Sequence, residues 1–226
     1  MRFTEQLKED RNKLLAMDST RQRAIFIWDY YKAPILASAF VLLFLTAVLL
    51  GNIGRKGVCL HAVLINNDSP VNECDDTVFD RLLAEAGIDT GREKTEINAE
   101  LSLGRGSGES DDLDALQVLN ALFLLSDIDV YVSDYKYFDY YAEAEAFADL
   151  SLLLDKELLA NVPEEDRYYS EDQNGSRTLR GIYLREGSAL HSAGYYHSEV
   201  IIGAVGAGEN LDKAVAVIGQ LLCDRK

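Results

Sequence analysis

Between Lys32 and Arg55 no side chain carries a charge, and the run APILASAFVLLFLTAVLLGNIG, residues 33–54, is 22 residues of mostly apolar character. A helix rises ~1.5 Å per residue, so this run reaches about 33 Å, against roughly 30 Å for a hydrocarbon core. The sequence therefore predicts a transmembrane helix over 33–54, with the lipid bilayer as its partner. A cleaved signal peptide fits less well: its apolar part is about 7–15 residues long and ends in a small-residue cleavage site. Here 32 residues precede the run, and LLGNIGRKG at its end offers no A-x-A pattern. Lys13, Arg21, Arg23 and Lys32 precede the run, and only Arg55 and Lys56 closely follow it. The excess of positive charge before the span predicts a cytoplasmic segment 1–32 and an extracytoplasmic domain 57–226, in a single-pass protein of the cell membrane. Trp28, Tyr30 and Tyr31 have the place of an interfacial aromatic belt. Ser19-Thr20-Arg21-Gln22 has capping-box spacing and marks a helix start.

Charge divides unevenly along the chain. Of 22 basic and 38 acidic side chains, 9 basic and 5 acidic lie before residue 57, which leaves 13 and 33 for residues 57–226, a net charge of about −20. A field of that sign repels phosphate, which excludes nucleic acid as a partner of this domain.

From residue 57 on, strand-length apolar runs alternate with stretches of helical period. VCLHAVLIN (58–66) reads as a strand buried on both faces and stops at the turn cluster NNDSP. DDTVFDRLLAEAGI places Val78, Leu82, Leu83 and Ala86 on one helical face and ends at Gly87. EKTEINAELSL (93–103) alternates as a half-exposed strand, and GRGSGESDD is a loop. DLDALQVLNALFLLSD reads as a helix apolar on more than one face, IDVYVS as a core strand, and DYKYFDYYAEAEAFADLSLLL as the helix after it. The polar segment 155–177 reads as a surface excursion, TLRGIYLRE and SEVIIGAVG as two strands, and NLDKAVAVIGQLLCD as an amphipathic closing helix. The order β-α-β-α-β-α-β-β-α predicts an α/β domain: a mostly parallel sheet with helices on both faces, preceded by the transmembrane helix.

Three of these segments together resemble one lobe of the type 2 periplasmic or extracellular solute-binding proteins. IDVYVSDYKYFDYYAEAEAFADLSLLL is similar to the stretch where a central strand ends at the ligand cleft and a helix runs on to a DL-x-x-LL segment. RGIYLRE resembles that family's YGIPL strand, with Tyr183 at the usual Pro. VIIGAVGAGENLDKAVAVIGQLL resembles its closing strand and helix. IFIWDYYKAPIL also resembles the start of the membrane segment in single-span proteins of Gram-positive bacteria. In the solute-binding proteins the chain enters a second lobe after the GIPL strand, and ligand is held between lobes. Only residues 187–197 separate the corresponding strands here. The resemblance thus implies one lobe with half a pocket and a non-catalytic recognition role.

In an open parallel sheet, ligands bind beyond the carboxyl ends of the strands. Those ends carry Asn66 and Asn67, the loop with Ser107, and Ser133, Asp134 and Tyr135, which are the expected ligand-binding residues. Tyr137, Phe138 and Tyr141 share one helical face and are expected to pack on the sheet, leaving Tyr135 as the binding aromatic. GRGSG runs into Glu109, Asp111 and Asp112, which would repel a phosphate. His61, His191 and His197 lack zinc spacing, and EEDRYYSEDQNG lacks the calcium-loop pattern. No metal, cofactor or catalytic residue is expected, and the main hydrolase motifs are missing. Cys59 begins the first strand and Cys223 ends the last helix, so a layered parallel domain would bring them to one edge and allow a disulfide. The expected role is a non-catalytic recognition domain that docks on a membrane or envelope protein or weakly binds a small ligand. A structural or accessory subunit without ligand is the alternative, and an enzyme comes third.

Overall fold

The computed structural model describes residues 19–53, 57–91, 93–104, 109–171 and 175–223, and the chain separates into two compact units, Met1–Arg55 and Lys56–Lys226. In the first unit one helix, α1 (Thr20–Ile53), begins directly after Ser19 and runs for 34 residues. Its side chains from Leu36 to Ala47 stand exposed, Phe40 at 71% and Leu43 at 70%. Among the described residues no helix is long and apolar enough to cross a membrane. This finding corrects the expected transmembrane helix over 33–54, and with it the single-pass placement, the cytoplasmic N-terminus and the extracytoplasmic domain.

The second unit is built on six strands: β1 (Gly57–Leu64), β2 (Glu93–Asn98), β3 (Val130–Ser133), β4 (Arg167–Glu171), β5 (Arg177–Leu184) and β6 (Val200–Ala204). They lie in the order β2-β1-β3-β6-β5-β4. Only β1–β2 and β1–β3 are parallel; β3–β6, β6–β5 and β5–β4 are antiparallel. The sheet is therefore mixed, which corrects the mostly parallel arrangement expected from the alternation. Two connections cause this. The stretch 185–199 leaves β5 and re-enters β6 at the same edge, and a same-edge link between neighbouring strands makes them antiparallel. Gly175, at φ +77°, stands in the short link between β4 and β5, and the two strands pair antiparallel. The segment expected as an irregular excursion thus contains the edge strand β4.

Among the described residues seven α-helices complete the unit: α2 (Val78–Glu85), α3 (Glu109–Leu124), α4 (Tyr135–Glu143), α5 (Leu150–Leu153), α6 (Lys156–Ala160), α7 (Ala189–Ser192) and α8 (Leu211–Cys223). The stretch expected as one helix over 134–154 is broken, because Glu145 takes φ +56° and Phe147 forms a bridge with Val205 at the end of β6. One face of the sheet, with Leu60, Ala62, Leu64, Val130, Val132 and Ile202, packs on Phe79, Leu82 and Leu83 of α2 and Val217 and Ile218 of α8. The other face, with Val63, Tyr131, Ile201 and Val205, packs on Leu119 of α3 and Phe138 and Tyr141 of α4. Burial on both faces explains why β3 and β6 read as continuous apolar runs.

The cysteines follow from the same topology. Because β6 runs against β1 and β3, the helix after it starts, rather than ends, where β1 begins. Asn210 donates its N–H to Asp129, just ahead of β3, at 2.7 Å, and Lys213 reaches Glu93 at the start of β2 at 3.3 Å. Cys223 lies at the other end of α8, about 18 Å along a helix of that length. Cys59, Cys74 and Cys223 are all free thiols, so the expected Cys59–Cys223 disulfide is absent. Cys59 is buried in the core instead, and burial pushes its thiol pKa up.

Candidate functional site

β1, β2, β3 and β5 run in one direction, so their carboxyl ends share one edge, which also receives the starts of β4 and β6. The strand-end residues Asn66, Asn67, Ser133, Asp134 and Tyr135 all lie here, as the sequence places them; Ser107 lies outside the described residues. Their polar groups are spent on each other. Asn66, at φ +59° and 3% exposed, donates through Nδ2 to Asp134 Oδ2 at 2.8 Å and accepts at Oδ1 from the Leu103 N–H at 2.7 Å. Asp134 in turn is the N-cap of α4, its Oδ1 accepting from the Tyr137 N–H at 3.3 Å. The buried Ser133 hydroxyl donates to the Asp134 carbonyl at 3.1 Å, and Asn67 Nδ2 donates to the Ser69 carbonyl at 2.6 Å. Buried polar groups must find partners, and these found them within the edge. Asn66, Ser133 and Asp134 tie together the ends of β1 and β3 and the segment after β2.

The connection 185–199 then covers the middle of that edge. Tyr195 and Tyr196 are buried, and the Tyr196 hydroxyl donates to the Ile65 carbonyl at 2.9 Å. The Asp68 N–H donates to the Tyr195 carbonyl, and the His197 N–H donates to the Asp68 carboxylate, both at 2.8 Å. Burial pushes the Tyr195 phenol up to about 12. His197 lies 3.2 Å from the Ser69 hydroxyl. His191 holds the Ser188 hydroxyl at 2.7 Å on Nδ1 and the Ser198 carbonyl at 2.8 Å on Nε2. Ser188 is the N-cap of the four-residue α7, so this serine and histidine close a short turn. His61 pairs with Asp127 at 3.1 Å, at the opposite edge. Among the described residues no group of His, Cys, Asp and Glu forms a metal-binding cluster.

What stays open is aromatic. α4 begins on its cap and buries Phe138, Tyr141 and Ala142, while Tyr135, at its first position and one turn before Asp139, keeps 56% of its surface exposed. Its ring centroid is 6.0 Å from that of Tyr168 on β4, at 64°, and Tyr168 is 6.3 Å from Tyr183 on β5, at 59°. Tyr168 is almost fully buried and Tyr183 half-buried. The Tyr168 hydroxyl donates a short hydrogen bond to Asp139. The Asp139 carboxylate, first among the causes, raises the pKa of Tyr135. Burial first, then the bond to Asp139, raises Tyr168; burial, then Tyr135 and Glu199, raises Tyr183. Arg185, directly after β5, is bound to Asp166 and lies 3.4 Å from Glu199. Asp166 precedes β4 and Glu199 precedes β6, so this ion-pair group borders the tyrosines on the same edge. Its hydrogen bond to Asp166 holds the Arg185 pKa up.

Among the described residues of the expected site, Tyr135 is the one large side chain that stands exposed. Tyr168, Tyr183, Asp139 and Arg185 were missed as its company. The one available signal was the Asn-Gly pair in the sequence between RYYSE and RTLRGIYL, two segments that pair as β4 and β5. Comparison with protein families, with curated proteins and with solved structures gives no match.

Proposed function

We propose that residues 57–226 form a non-catalytic recognition domain whose contact surface is the tyrosine group Tyr135, Tyr168 and Tyr183. The observation that supports this is the 56% exposure of Tyr135 beside a buried tyrosine, at the sheet edge where every neighbouring polar side chain of the expected site is engaged internally. A ring held exposed on a buried ring presents apolar area in a fixed orientation, which suits contact with a ligand group or a partner side chain. The test is a thermal-shift screen of small metabolite classes on the full chain and on Tyr135→Ala. Compounds that stabilise the wild type and not the variant support the reading; stabilisation that is identical in both removes it.

A second reading, docking on a protein, is favoured by α3. Its inward side chains include the buried Leu119, while Leu113, Val118, Leu124 and Leu125 are exposed, the last two at 86% and 74%. Exposed apolar area of this kind marks interaction surfaces. The net charge of about −20 over residues 57–226 selects a partner with lysine or arginine around its contact. A cross-linked partner that is lost with Leu124→Glu/Leu125→Glu and kept with Tyr135→Ala assigns docking to this helix; loss only with Tyr135→Ala assigns it to the tyrosines.

A further inference from the structure

We infer that the solvent side of α3 seats a partner helix whose apolar row is bordered by lysine or arginine. This rests on the docking reading of α3 above and names the partner's shape and charge.

A surface helix turns charged side chains to water and keeps apolar ones for the core, whereas a helix without charge on any side is a buried one. From residue 115 to its end α3 carries no charge, yet among the described residues only one of its sides is covered. On that side Leu119 is buried and Phe123 stacks on Tyr141, centroids 4.3 Å apart at 21°. On the other, Leu113, Val118, Ala121, Leu124 and Leu125 are exposed. Leu125 continues the last turn, its N–H donating to the Ala121 carbonyl at 3.0 Å. Asp114 is the one charge among the exposed described positions of the helix.

The shape of this side suits a helix. From Leu113 to Leu125 it extends about 18 Å at ~1.5 Å per residue. Ala121 stands between Val118 and Leu125, its i−3 and i+4 neighbours, so a small residue separates two large ones at the middle of the row. Helices pack by laying the side-chain ridge of one into such a step of the other, with axes about 8–10 Å apart. A strand has nothing to pair with here, because the backbone groups of α3 are bonded within the helix.

The charge at both ends sets the partner's sign. Asp114 lies at the start of the row and Asp127 just past its end, and residues 106–135 contain seven acidic and no basic side chains. The cations nearby do not reverse this. His61 lies 3.1 Å from Asp127, and Lys94 on β2 lies 3.9 Å from Glu96. Lys136 is 3.4 Å from the Tyr137 hydroxyl, beside Gly104 in the segment ahead of α3. Arg180, beyond α4, is bonded to the Phe147 carbonyl among Glu143, Glu145 and Glu171. Arg105 lies outside the described residues. A second copy fits poorly: antiparallel α3 helices would set Asp114 against Asp127, and parallel ones would set each aspartate against itself. An anionic lipid surface meets the same repulsion. A helix with basic flanks gains at both ends, and the net charge of about −20 over residues 57–226 draws it in.

The probe is a fluorescent synthetic peptide of about 18 residues, with leucine at i, i+4, i+7 and i+11 and lysine and alanine elsewhere, titrated with the full chain at about 150 mM salt. Two further peptides serve as comparisons: one with glutamate for every lysine, and one with the lysines kept and two prolines in its interior. Saturable binding of the lysine helix is expected, weakened about tenfold or more by Leu124→Glu/Leu125→Glu and by Leu113→Glu, and about two- to threefold by Asp114→Asn. The glutamate variants add negative charge, so attraction by charge alone would strengthen in them; binding that is unchanged or tighter overturns the inference. Equal binding of the proline peptide overturns the helical partner, and equal binding of the glutamate peptide overturns its basic flanks. Either result, if still lost with Leu124→Glu/Leu125→Glu, leaves docking on α3 standing. A dimer of the chain alone, seen by sedimentation and lost in that variant, makes a second copy the occupant and overturns the inference. No saturable binding of the lysine helix overturns it too, whereas the docking reading itself falls only when a cross-linked partner survives Leu124→Glu/Leu125→Glu. Unchanged urea midpoints, expected at side chains as exposed as Leu124 and Leu125, certify the folds of the variants.

Discussion

α4 supplies two aromatic groups that could hardly differ more. Further along, Phe138 is fully buried with the tip of its ring toward the sheet and stacks on Phe147, centroids 4.3 Å apart at 12°, within a cluster that includes Tyr131 and Tyr141. At its first position Tyr135 leans on Tyr168 and stays exposed. The sheet decides which is which. Gly181 and Gly203 leave the surface beneath Phe138 without side chains; a Cβ on either would come within 2.5 and 2.8 Å of the Phe138 ring. A ring that finds such room above the sheet becomes core, and a ring whose neighbour is another ring at the rim remains surface. Density of aromatic residues in a sequence therefore says little about binding until the bed beneath each ring is known.

The comparison can be broken from the inside first. Phe138→Ala empties a fully buried position and is expected to cost about 3–5 kcal/mol, read from urea denaturation. Gly203→Ala forces a methyl against Phe138 and the Arg180 carbonyl and should cost about 1–3 kcal/mol. Asp134→Ala removes the α4 cap and leaves Asn66 Nδ2 without its acceptor, for about 1–2 kcal/mol. If Phe138→Ala proved harmless, the inner group would not be core.

The two groups should also part in alkali. Burial pushes the Tyr141 and Tyr195 phenols up to about 12, against about 10 in an unfolded chain. Between these values the unfolded state releases protons that the folded state retains, so the stabilisation is complete below about pH 10 and is lost as pH rises toward 12. Urea midpoints measured from pH 8 upward should fall in that window, and Tyr141→Phe should flatten the fall. The smallest effect belongs to Tyr135→Ala, under about 1 kcal/mol on the same assay, because it removes one edge contact at a solvated site. A larger loss would make Tyr135 part of the core.

The strands β1, β3 and β6 were legible because burial on both faces leaves unbroken apolar runs, and α4 because Asp134 caps a helix with Phe138 and Tyr141 on one face. Strand direction was not legible, since an apolar run reads the same either way; the reversal lies in how 185–199 returns to its own edge. β4 was hidden by its polar edge position, where RYYSE meets solvent on one side. Tyr135 was recognisable two residues after the end of β3, but its contact with Tyr168, and that of Tyr168 with Tyr183, join three elements that no local pattern connects. The apolar run 33–54 predicted a membrane span that the described residues do not support.

The position of β6 bears on how the chain is made. It sits between β3 and β5, yet it is the last strand to leave the ribosome, and the Tyr196 hydroxyl that seals the edge of β1 bridges 131 residues of sequence. Until residue 204 has emerged, β1 with β3 and β4 with β5 can form only as separate halves, each with an unpaired strand facing the gap. The nascent domain thus carries two sticky edges for most of its synthesis, and its closure is a late, long-range event of the kind that slows folding and invites association between unfinished chains.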